Sequence, residues 1–466
     1  MIALAAGASR ARAQCFTEAL PTWETPAVFP AGAFPFGIDA ADAMGPVGEF
    51  ANNLDGYPDI VVGAGHVSFY RGDTPNFYTN QSSQVLFFRN SQDWTPTSGG
   101  LTDDPNLTID LPNRSIAAEV KFADITGDGR NDVVVTATTH YDASYPAGAV
   151  GVYVYRWDNG AFAFWQFVPA AHALRGLVVA DFDADGDLDV VGAVDSPEPI
   201  NADRDKVAIY LNNDDDDGSF GNGLLGPVSM QDIAATGVQP GPHSVVSGHF
   251  QKVPGGSLYP DLVASRWDSY GAQMVGQGDG TFSVSTIAPC HFAAACGMAV
   301  GRFQLGKLSD DVAAWDAGGL GLLVYHSTPS GVFTHDCDED VQCDFNDIYF
   351  DEGGSPPNPD FIPIGVASGQ LNGGVKVDLA VGSNSTGPEA YVWILLGKGN
   401  KKFEFQNIGT TYQVNVDDGT GLVEYPLRVR IADMDLDGYP DILTANHGSE
   451  AEFGSISVVI NATGTP

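Results

Sequence analysis

The stretch ADFDADGDLDVV, residues 180–191, places five aspartates within nine residues, with apolar segments on both sides. Like charges so close together repel one another, and this repulsion is stronger beside a packed core. Three interpretations are open at this point: a solvated turn, a cluster of catalytic carboxylates, or a set of ligands for a metal ion. The rest of the sequence distinguishes between them.

The composition narrows the possible functions. The chain has 466 residues, 43% of them hydrophobic, and a formal net charge of −38 from 59 acidic and 21 basic residues. It can bury a large core but is too long for one ordinary domain unless its fold is repetitive. The negative charge repels phosphate backbones, so we predict no nucleic-acid binding. Beyond the first residues, no apolar run is long enough to span a bilayer, so we predict no membrane insertion.

The N-terminal residues MIALAAGASRARAQC contain a short apolar stretch followed by Ala11-Arg12-Ala13, which is typical of a signal-peptide cleavage site. We therefore predict a signal peptide over residues 1–14, although the basic segment that normally opens one is missing. Residues 15–466 are predicted to form a single domain that is secreted or displayed at the cell surface. A lipoprotein anchor at Cys15 is disfavoured, because Gln14 stands where a small residue is needed.

Two cysteine pairs have the same spacing, Cys290 with Cys296 and Cys337 with Cys343. In an extracellular chain such pairs are typical of local disulfides. A zinc site is the alternative, but this spacing is wider than zinc ligands usually have. Cys15 has no partner of the same spacing. Three alternatives are open for it: a free thiol, a disulfide with one of the other four cysteines, or a disulfide with another chain.

The opening stretch has six relatives along the chain, which makes seven copies of one motif. Strand-like alternating segments precede and follow each copy, as in GLVVADF (176–182) and DVVGAV (189–194), and a third follows later, as in GVYVYRW (151–157). Seven repeats of about four strands predict an all-β fold, a seven-bladed β-propeller of four-stranded blades. The repeats are centred on the final aspartates of the motif, which are Asp59, Asp132, Asp189, Asp261, Asp311, Asp378 and Asp441.

The last repeat ends soon after its third strand, near Asn461. Its fourth strand must therefore come from elsewhere, and the extended segment PTWETPAVFP (21–30) is the natural donor. A ring closed by an N-terminal strand in the last blade hides its sheet edges.

On these residues the chain resembles the FG-GAP/VCBS repeat family, whose members include the propeller of integrin α-subunits and some fungal lectins. The motif D-x-D-x-D-G-x-x-D followed by a strand carries the resemblance, which extends over roughly residues 35–466. The resemblance implies a secreted or cell-surface β-propeller with calcium bound in the loops of its blades.

Alternating carboxylates suit Ca²⁺, which takes six to eight oxygen ligands, and glycine at position six of the motif permits a sharp turn. Blades three and seven match fully and blade two closely, which predicts three calcium sites. An EF-hand is excluded because a β-strand, not a helix, follows each loop. The candidate ligands are Asp181, Asp183, Asp185, the carbonyl of Asp187 and Asp189 in blade three; Asp433, Asp435, Asp437, the carbonyl of Tyr439 and Asp441 in blade seven; and Asp124, Thr126, Asp128, the carbonyl of Arg130 and Asp132 in blade two.

Blade one offers a fourth site, but Ala51 stands at position one of its motif. Alignment of GIDAAD (37–42) with GLVVAD (176–181) suggests that Asp42 supplies the first ligand across an insertion. The remaining candidates in blade one are Asn53, Asp55, the carbonyl of Tyr57 and Asp59.

Blades four, five and six lack the aspartate at position one, and each of their loops carries a lysine instead. One hypothesis is that the ammonium replaces the metal ion; the alternative is that the lysines are unrelated surface residues. The lysines are Lys252, Lys307 and Lys376.

The loops that join strands two and three are expected on the face opposite the metal loops. Aromatic rings with histidine and arginine are typical of a glycan site, where rings stack and cations pair with carboxylates. Packing at strand ends is the alternative role. The candidate residues are His66, Tyr70, Arg71, His140, Tyr141, Arg266, Trp267, Trp315 and His447.

The sequence favours a non-catalytic binding or adhesion module for a glycan or a protein. A polysaccharide lyase that uses histidine and tyrosine as base and acid is the alternative, and a structural subunit of an extracellular assembly is a third. No nucleophile elbow, H-E-x-x-H motif or P-loop is present.

Overall fold

The structure is a computed structural model of the chain. It describes residues 21–31, 35–44, 54–64, 83–94, 99–103, 107–112, 115–138, 149–195, 206–212, 225–233, 244–251, 259–265, 271–287, 297–316, 321–327, 333–334, 362–384, 391–400, 403–405, 412–413, 425–447 and 454–463. These ranges contain β-strands and no helix, in agreement with the predicted all-β class. Within them, no helix of the length and apolarity needed to cross a membrane was found.

The strands form seven antiparallel sheets, the blades, and each is given from the inner strand outwards. Blade one has β2 (Pro35–Ala41), β3 (Asp59–Ala64), β4 (Gln84–Asn90), and β5 (Leu101–Asp103) beside β6 (Ile109–Asp110). Blade two has β7 (Ile116–Ala123), β8 (Asp132–Thr138), β9 (Gly151–Asp158) and β10 (Ala161–Pro169). Blade three has β11 (Ala173–Ala180), β12 (Asp189–Asp195), β13 (Lys206–Tyr210) and β14 (Ser229–Asp232).

The same order continues around the ring. Blade four has β15 (Val245–Gly248), β16 (Asp261–Ser265), β17 (Gly271–Gly276) and β18 (Phe282–Ile287). Blade five has β19 (Met298–Gly301), β20 (Asp311–Asp316), β21 (Gly321–Ser327) and β22 (Phe333–Thr334). Blade six has β23 (Ile362–Gly369), β24 (Asp378–Asn384), β25 (Tyr391–Gly397), and β26 (Phe403–Phe405) beside β27 (Tyr412–Gln413). Blade seven has β28 (Tyr425–Ala432), β29 (Asp441–His447), β30 (Ser455–Val459) and, outermost, β1 (Ala27–Pro30).

The seven inner strands form a closed circuit. Each inner strand contacts the inner strand of the next blade, and β28 of blade seven contacts β2 of blade one. The predicted seven-bladed propeller is therefore confirmed. Each motif joins the inner strand of its blade to the second strand, so all seven motifs lie on one face of the ring, which we call the motif face.

The predicted closure by the N-terminal segment is also confirmed. Strand β1 pairs antiparallel with β30, from Ala27 opposite Val458 to Pro30 opposite Ser455. The Glu24 N–H donates to the Ile460 carbonyl at 2.9 Å, which extends the pairing beyond the strand. The last blade thus combines both ends of the described chain, and its outer edge is covered.

Apolar side chains fill the spaces between neighbouring blades. Second strands such as β8 (DVVVTAT) are rich in β-branched residues and buried along their whole length, because each is covered by a blade on both sides. The described residues form seven apolar clusters, each shared by two consecutive blades. The core is therefore a ring of seven interfaces.

Several sequence predictions fall outside the described residues. They are the signal peptide over residues 1–14, Cys15, and the two cysteine pairs Cys290 with Cys296 and Cys337 with Cys343. The structure therefore does not test them.

We expect closure by β1 to contribute measurably to stability. Phe29 of β1 packs into the cluster between blades seven and one, with its ring centroid 6.2 Å from that of Phe88. Phe29→Ala should lower the free energy of unfolding by about 2 kcal/mol, somewhat less than for a fully buried phenylalanine. The matched control is Phe164→Ala, because Phe164 is 59% exposed. This substitution should change the free energy of unfolding by about 0.5 kcal/mol. Equal losses in denaturant titrations of the two variants would contradict this role for β1.

Candidate metal centre

The final aspartate of the motif, position nine, is buried in every blade, with at most 1% of its surface exposed. In blade three, Asp189 accepts hydrogen bonds from the Phe182 N–H in the loop and from the Asn212 N–H after the third strand, each at 2.7 Å. The aspartate therefore fastens the loop to two strands of its own blade. The same pair of contacts occurs at Asp59, Asp261, Asp311, Asp378 and Asp441.

The aspartate at position one closes the loop onto the glycine at position six. Asp181 accepts from the Gly186 N–H at 3.2 Å, and the same contact is 3.0 Å in blade seven and 2.8 Å in blade two. Gly186 has a φ of 102°, a conformation that L side chains rarely adopt. Glycine at position six is thus required by the turn, as the sequence indicated.

Asp42 takes position one in blade one. The Gly56 N–H donates to Asp42 Oδ2 at 3.0 Å, the contact that position one makes in blades two, three and seven. The predicted replacement of Ala51 by Asp42 across the insertion agrees with this geometry. Asn53, the candidate for position three, lies outside the described residues.

Two loops gather three carboxylates each. Ligand oxygens of Asp181, Asp183 and Asp189 lie within 4.8 Å of one another in blade three. Those of Asp433, Asp435 and Asp441 do so in blade seven. Oxygens that coordinate one Ca²⁺ at about 2.3–2.6 Å must lie within about 5 Å of one another, so both groups have a suitable spacing.

Unpartnered oxygens point to what these groups lack. Asp183 Oδ1 in blade three and Asp433 Oδ1 in blade seven are buried and accept no hydrogen bond from the described residues. A buried carboxylate oxygen without a donor is costly, and a cation is the partner that would satisfy it. The donor set, hard oxygens from several carboxylates, suits a hard cation.

Burial and mutual repulsion keep these groups from ionising easily. Burial raises the pKa of Asp189 to about 7 and that of Asp441 to about 8, and the neighbouring loop aspartates add to both shifts. Burial and the adjacent Asp185 raise the pKa of Asp183 to about 6. A bound cation would favour the ionised forms, so these loops are arranged to gain most from one.

The two loops also hold a strained backbone. Ala184 and Leu436, at position four of blades three and seven, have φ values of 66° and 60°. Left-handed backbone costs a non-glycine residue about 1 kcal/mol. The Ala184 N–H donates to Asp181 Oδ1 at 2.7 Å, so the first aspartate helps to hold this conformation.

Blades one and two are less complete. Among their described residues, no three carboxylates come within the spacing found in blades three and seven. In blade two, both oxygens of Asp124 accept backbone N–H groups, from Asp128 at 3.0 Å and from Gly129 at 2.8 Å. Thr126 N–H donates to Asp132 at 2.9 Å, and burial raises the pKa of Asp132 to about 6. In blade one, Asp42 Oδ1 is buried without a partner.

The residues predicted to offer carbonyl ligands share one local geometry. The backbone N–H of each donates to the aspartate at position five of its own loop, at 2.7–3.0 Å, which fixes the turn that precedes position nine. They are Tyr57 with Asp55, Arg130 with Asp128, Asp187 with Asp185, and Tyr439 with Asp437.

Blade five has a lysine in its motif loop, whereas the loops of blades three and seven gather carboxylates. The Lys307 ammonium donates to Asp311 Oδ1, and its side chain is only 13% exposed. His326 Nδ1 lies 3.7 Å from Asp311 Oδ2. Burial alone would raise the pKa of Asp311, but His326 and Lys307 together outweigh it, so the pKa lies below its usual range. The predicted replacement of a metal ion by an ammonium group matches this arrangement in blade five.

For the other two lysines, the replacement of a metal ion by an ammonium group stays a prediction. Lys252 of blade four lies outside the described residues. Lys376 of blade six lies beside Gly399 in the next turn, and both oxygens of Asp378 are satisfied by the Leu371 and Gly397 N–H groups.

A recurring asparagine at the end of the third strand was not predicted from the sequence. Asn212 Nδ2 donates to the Ile125 carbonyl of blade two at 2.8 Å, so it links the loops of consecutive blades. Asn90 makes the same link to Met434 of blade seven at 2.7 Å, and Asn461 to Leu371 of blade six at 2.6 Å. The signal was present, since these three strands end in RN, LNN and IN.

The structure does not test the ligand site predicted on the opposite face, because most of its residues are not described. His66, Tyr70, Arg71, His140, Tyr141, Arg266 and Trp267 lie outside the described residues. Trp315 lies in β20 and His447 ends β29, at the predicted end of their blades.

We expect Lys307 to stabilise blade five as a built-in cation. Lys307→Met should lower the free energy of unfolding by about 3 kcal/mol, because it leaves a buried charge without its partner. The control is Lys206→Met, because Lys206 pairs at 2.9 Å with Asp232, whose side chain is 67% exposed. This substitution should lower the free energy of unfolding by less than about 1 kcal/mol. Denaturant titrations with and without EDTA measure both. A loss no larger than that of the control would show that Lys307 does not replace an ion.

Comparison with known proteins supports the repeat assignment. Residues 124–192, which span the motifs of blades two and three, match the model of the FG-GAP-like repeat. No curated protein matches the sequence. Two crystal structures of BBS1N in complex with ARL6DN, one soaked with mercury and one with lead, are similar to this chain at 10% identity and a TM-score of 0.47. They match over 95% of this chain and 97% or 98% of that chain. The predicted resemblance is thus confirmed: the chain carries an FG-GAP-like repeat within a seven-bladed β-propeller.

Proposed function

We propose that this chain is a calcium-stabilised β-propeller, secreted or displayed at the cell surface, that acts as a non-catalytic binding module. The observation that carries the calcium assignment is the pair of three-carboxylate groups in blades three and seven, each with a buried oxygen that accepts no hydrogen bond within the described part of the chain. Calcium would complete the coordination of these oxygens and offset the repulsion between the aspartates.

The motif face also offers apolar side chains to a partner. Five of the seven large hydrophobic residues that are exposed in the described part of the chain lie in motif loops. The loops belong to blades five, six, seven and one, which are consecutive in the closed ring. Exposed apolar residues grouped on one face are typical of a protein interaction site. They are Leu305, Leu308, Val375, Leu436 and Leu54.

The chemistry of that face favours a particular partner. The apolar residues lie beside the acidic loops of blades seven and one, in a chain whose net charge is −38. Complementarity therefore favours a protein partner with an apolar centre and a lysine- or arginine-rich rim. Leu305 is held in place because its N–H donates to the Gly399 carbonyl of blade six at 2.8 Å. A rigid display of this kind suits recognition without catalysis.

The glycan-binding and lyase alternatives depend on the opposite face. Most residues that would carry them lie outside the described ranges, and Trp315 and His447 alone do not form a site. An assay for unsaturated products on acidic polysaccharides distinguishes the lyase from a binding module. A role as a structural subunit predicts self-assembly in solution.

The calcium assignment makes a sharp prediction at position three. Asp435→Asn removes one charged ligand of the blade-seven group and should weaken calcium binding at that site by about tenfold or more, because ligand charge sets affinity. The matched control is Asp279→Asn, since Asp279 lies in an exposed turn with Thr281. Calorimetric titration of EDTA-treated protein with calcium measures the effect. Identical isotherms for wild type and Asp435→Asn would exclude this site.

The binding role is tested on arrays of extracellular proteins and glycans, with and without EDTA. We expect the wild type to bind protein targets with basic surfaces. Val284→Ser should retain this binding, and Val375→Ser should lose it. Both valines are exposed, but Val284 lies on the outer strand β18, away from the motif loops. Equal binding of the targets by both variants would place recognition away from the motif loops. Binding of glycan targets that Val375→Ser does not change would favour the opposite face.

A further inference from the structure

The inner strands enclose a cavity of about 340 Å³ on the axis of the ring. Its lining comes from the inner strands of blades two to seven. That volume is in the range of small-molecule sites. The cavity is separate from the motif loops, and none of the proposed metal ligands belongs to its lining.

The walls of the cavity differ in chemistry. Blades two and seven contribute charged residues: Glu119 and Lys121 from β7, and Arg428 and Arg430 from β28. Residues two apart in a strand point to the same side, so each strand presents both of its charges together. The remaining lining comes from small, hydroxyl and apolar residues of blades three to six, including Val178, Ser247, Met298, Val366 and Ser368.

The cations outnumber the carboxylates. Three cations line the cavity in a chain that has only 21 basic residues, and Glu119 is the one carboxylate in that lining. Asp39 of β2 lies behind them, with Oδ1 3.7 Å from Arg430 Nε, and its Oδ2 already accepts the Phe122 N–H at 3.0 Å. With both carboxylates counted, the group has a net charge of +1.

One ion pair fixes the charged wall. The Arg428 guanidinium donates to Glu119 Oε1, and the two side chains are only 6% and 8% exposed. Arg428 also lies over the Phe36 ring, with its guanidinium carbon 4.6 Å from the ring centroid. A pair so enclosed holds Glu119 in place, and Glu119 in turn lies 3.8 Å from Arg430 Nη2.

Two cations keep donors for a ligand. The contacts of Arg430 with Asp39 and Glu119 exceed hydrogen-bond length, and the one hydrogen bond that it makes among the described residues runs from Nη1 to the Val429 carbonyl at 3.1 Å. Lys121 is half-buried, and its ammonium makes no hydrogen bond or ion pair among the described residues. Cations in a partly dehydrated cavity bind an anion more strongly than they do in water.

We propose that this cavity binds a small organic carboxylate. Arg430 and Lys121 hold the carboxylate through charge-assisted hydrogen bonds, and the apolar body of the ligand lies against the residues of blades three to six. The separation of a cationic wall from a largely apolar wall selects for an anion with an apolar body over an inorganic anion. The site goes beyond the proposed function and does not depend on it.

The test uses benzoate as the anionic probe and benzamide as its neutral counterpart, with the full chain at fixed ionic strength. Saturation-transfer NMR should show saturable benzoate binding, with benzamide at least about tenfold weaker because it lacks the charge-assisted contacts. Lys121→Met should weaken benzoate binding about tenfold and leave benzamide unchanged. The control is Lys206→Met, which removes an ammonium on strand three of blade three and should change neither.

Arg430→Gln keeps donors but removes the charge, and it should also weaken benzoate selectively. Circular dichroism melts of each variant check that it is folded. Equal binding of benzoate and benzamide, full benzoate affinity in both variants, or no saturable benzoate binding to the wild type would each overturn the proposal.

Discussion

The structure depends on a buried aspartate that accepts backbone hydrogen bonds, repeated once in each blade. One oxygen of its carboxylate accepts an N–H of the loop. In six of the blades, as described, the other oxygen accepts an N–H at the end of the third strand. Asp441 makes these contacts with Met434 at 2.6 Å and Asn461 at 2.7 Å. A turn between two buried strands leaves N–H groups without partners, and this aspartate satisfies them. The disadvantage is a buried negative charge, and burial raises the pKa of Asp441 to about 8.

The blades offset that charge in different ways. In blade five the Lys307 ammonium lies against Asp311 and lowers its pKa, whereas blades three and seven add further carboxylates in groups that could hold a metal ion. In blade six, Asp378 has two backbone donors and no additional carboxylate in the described part of its loop. One fold requirement is thus combined with a lysine in blade five and with carboxylate groups that could hold a metal ion in blades three and seven. Loss of the aspartate at position one can therefore occur without loss of the blade.

The sequence was sufficient to predict the period, the blade number and the closing strand, because all three follow from alternation and from motif spacing. It also indicated Asp42, since GIDAAD aligns with the strand that enters blade three, and the Gly56 contact agrees with that alignment. It did not predict the links made by Asn90, Asn212 and Asn461, because each joins one blade to the previous one, across 344, 87 and 90 residues of the chain. The axial cavity was missed for the same reason: Glu119 and Arg428 are 309 residues apart and meet only because inner strands converge.

The axial charges and the motif loops share the same strands, and this continuity links the two kinds of site. Strand β28 carries Arg428 and Arg430 and leads directly into Asp433, the first carboxylate of the blade-seven loop. Strand β7 carries Glu119 and Lys121 and leads into Asp124. The loop hydrogen bonds of Asp441 with Met434 and of Asp132 with Thr126 lie just beyond the ends of these strands. A ligand bound at the loop and a ligand bound at the axis would both contact the same strand. Linkage requires any coupling between the two sites to be reciprocal. In blades two and seven, the strand that leads into the turn held by Asp132 or Asp441 is therefore also the strand that carries the charged wall of the axis.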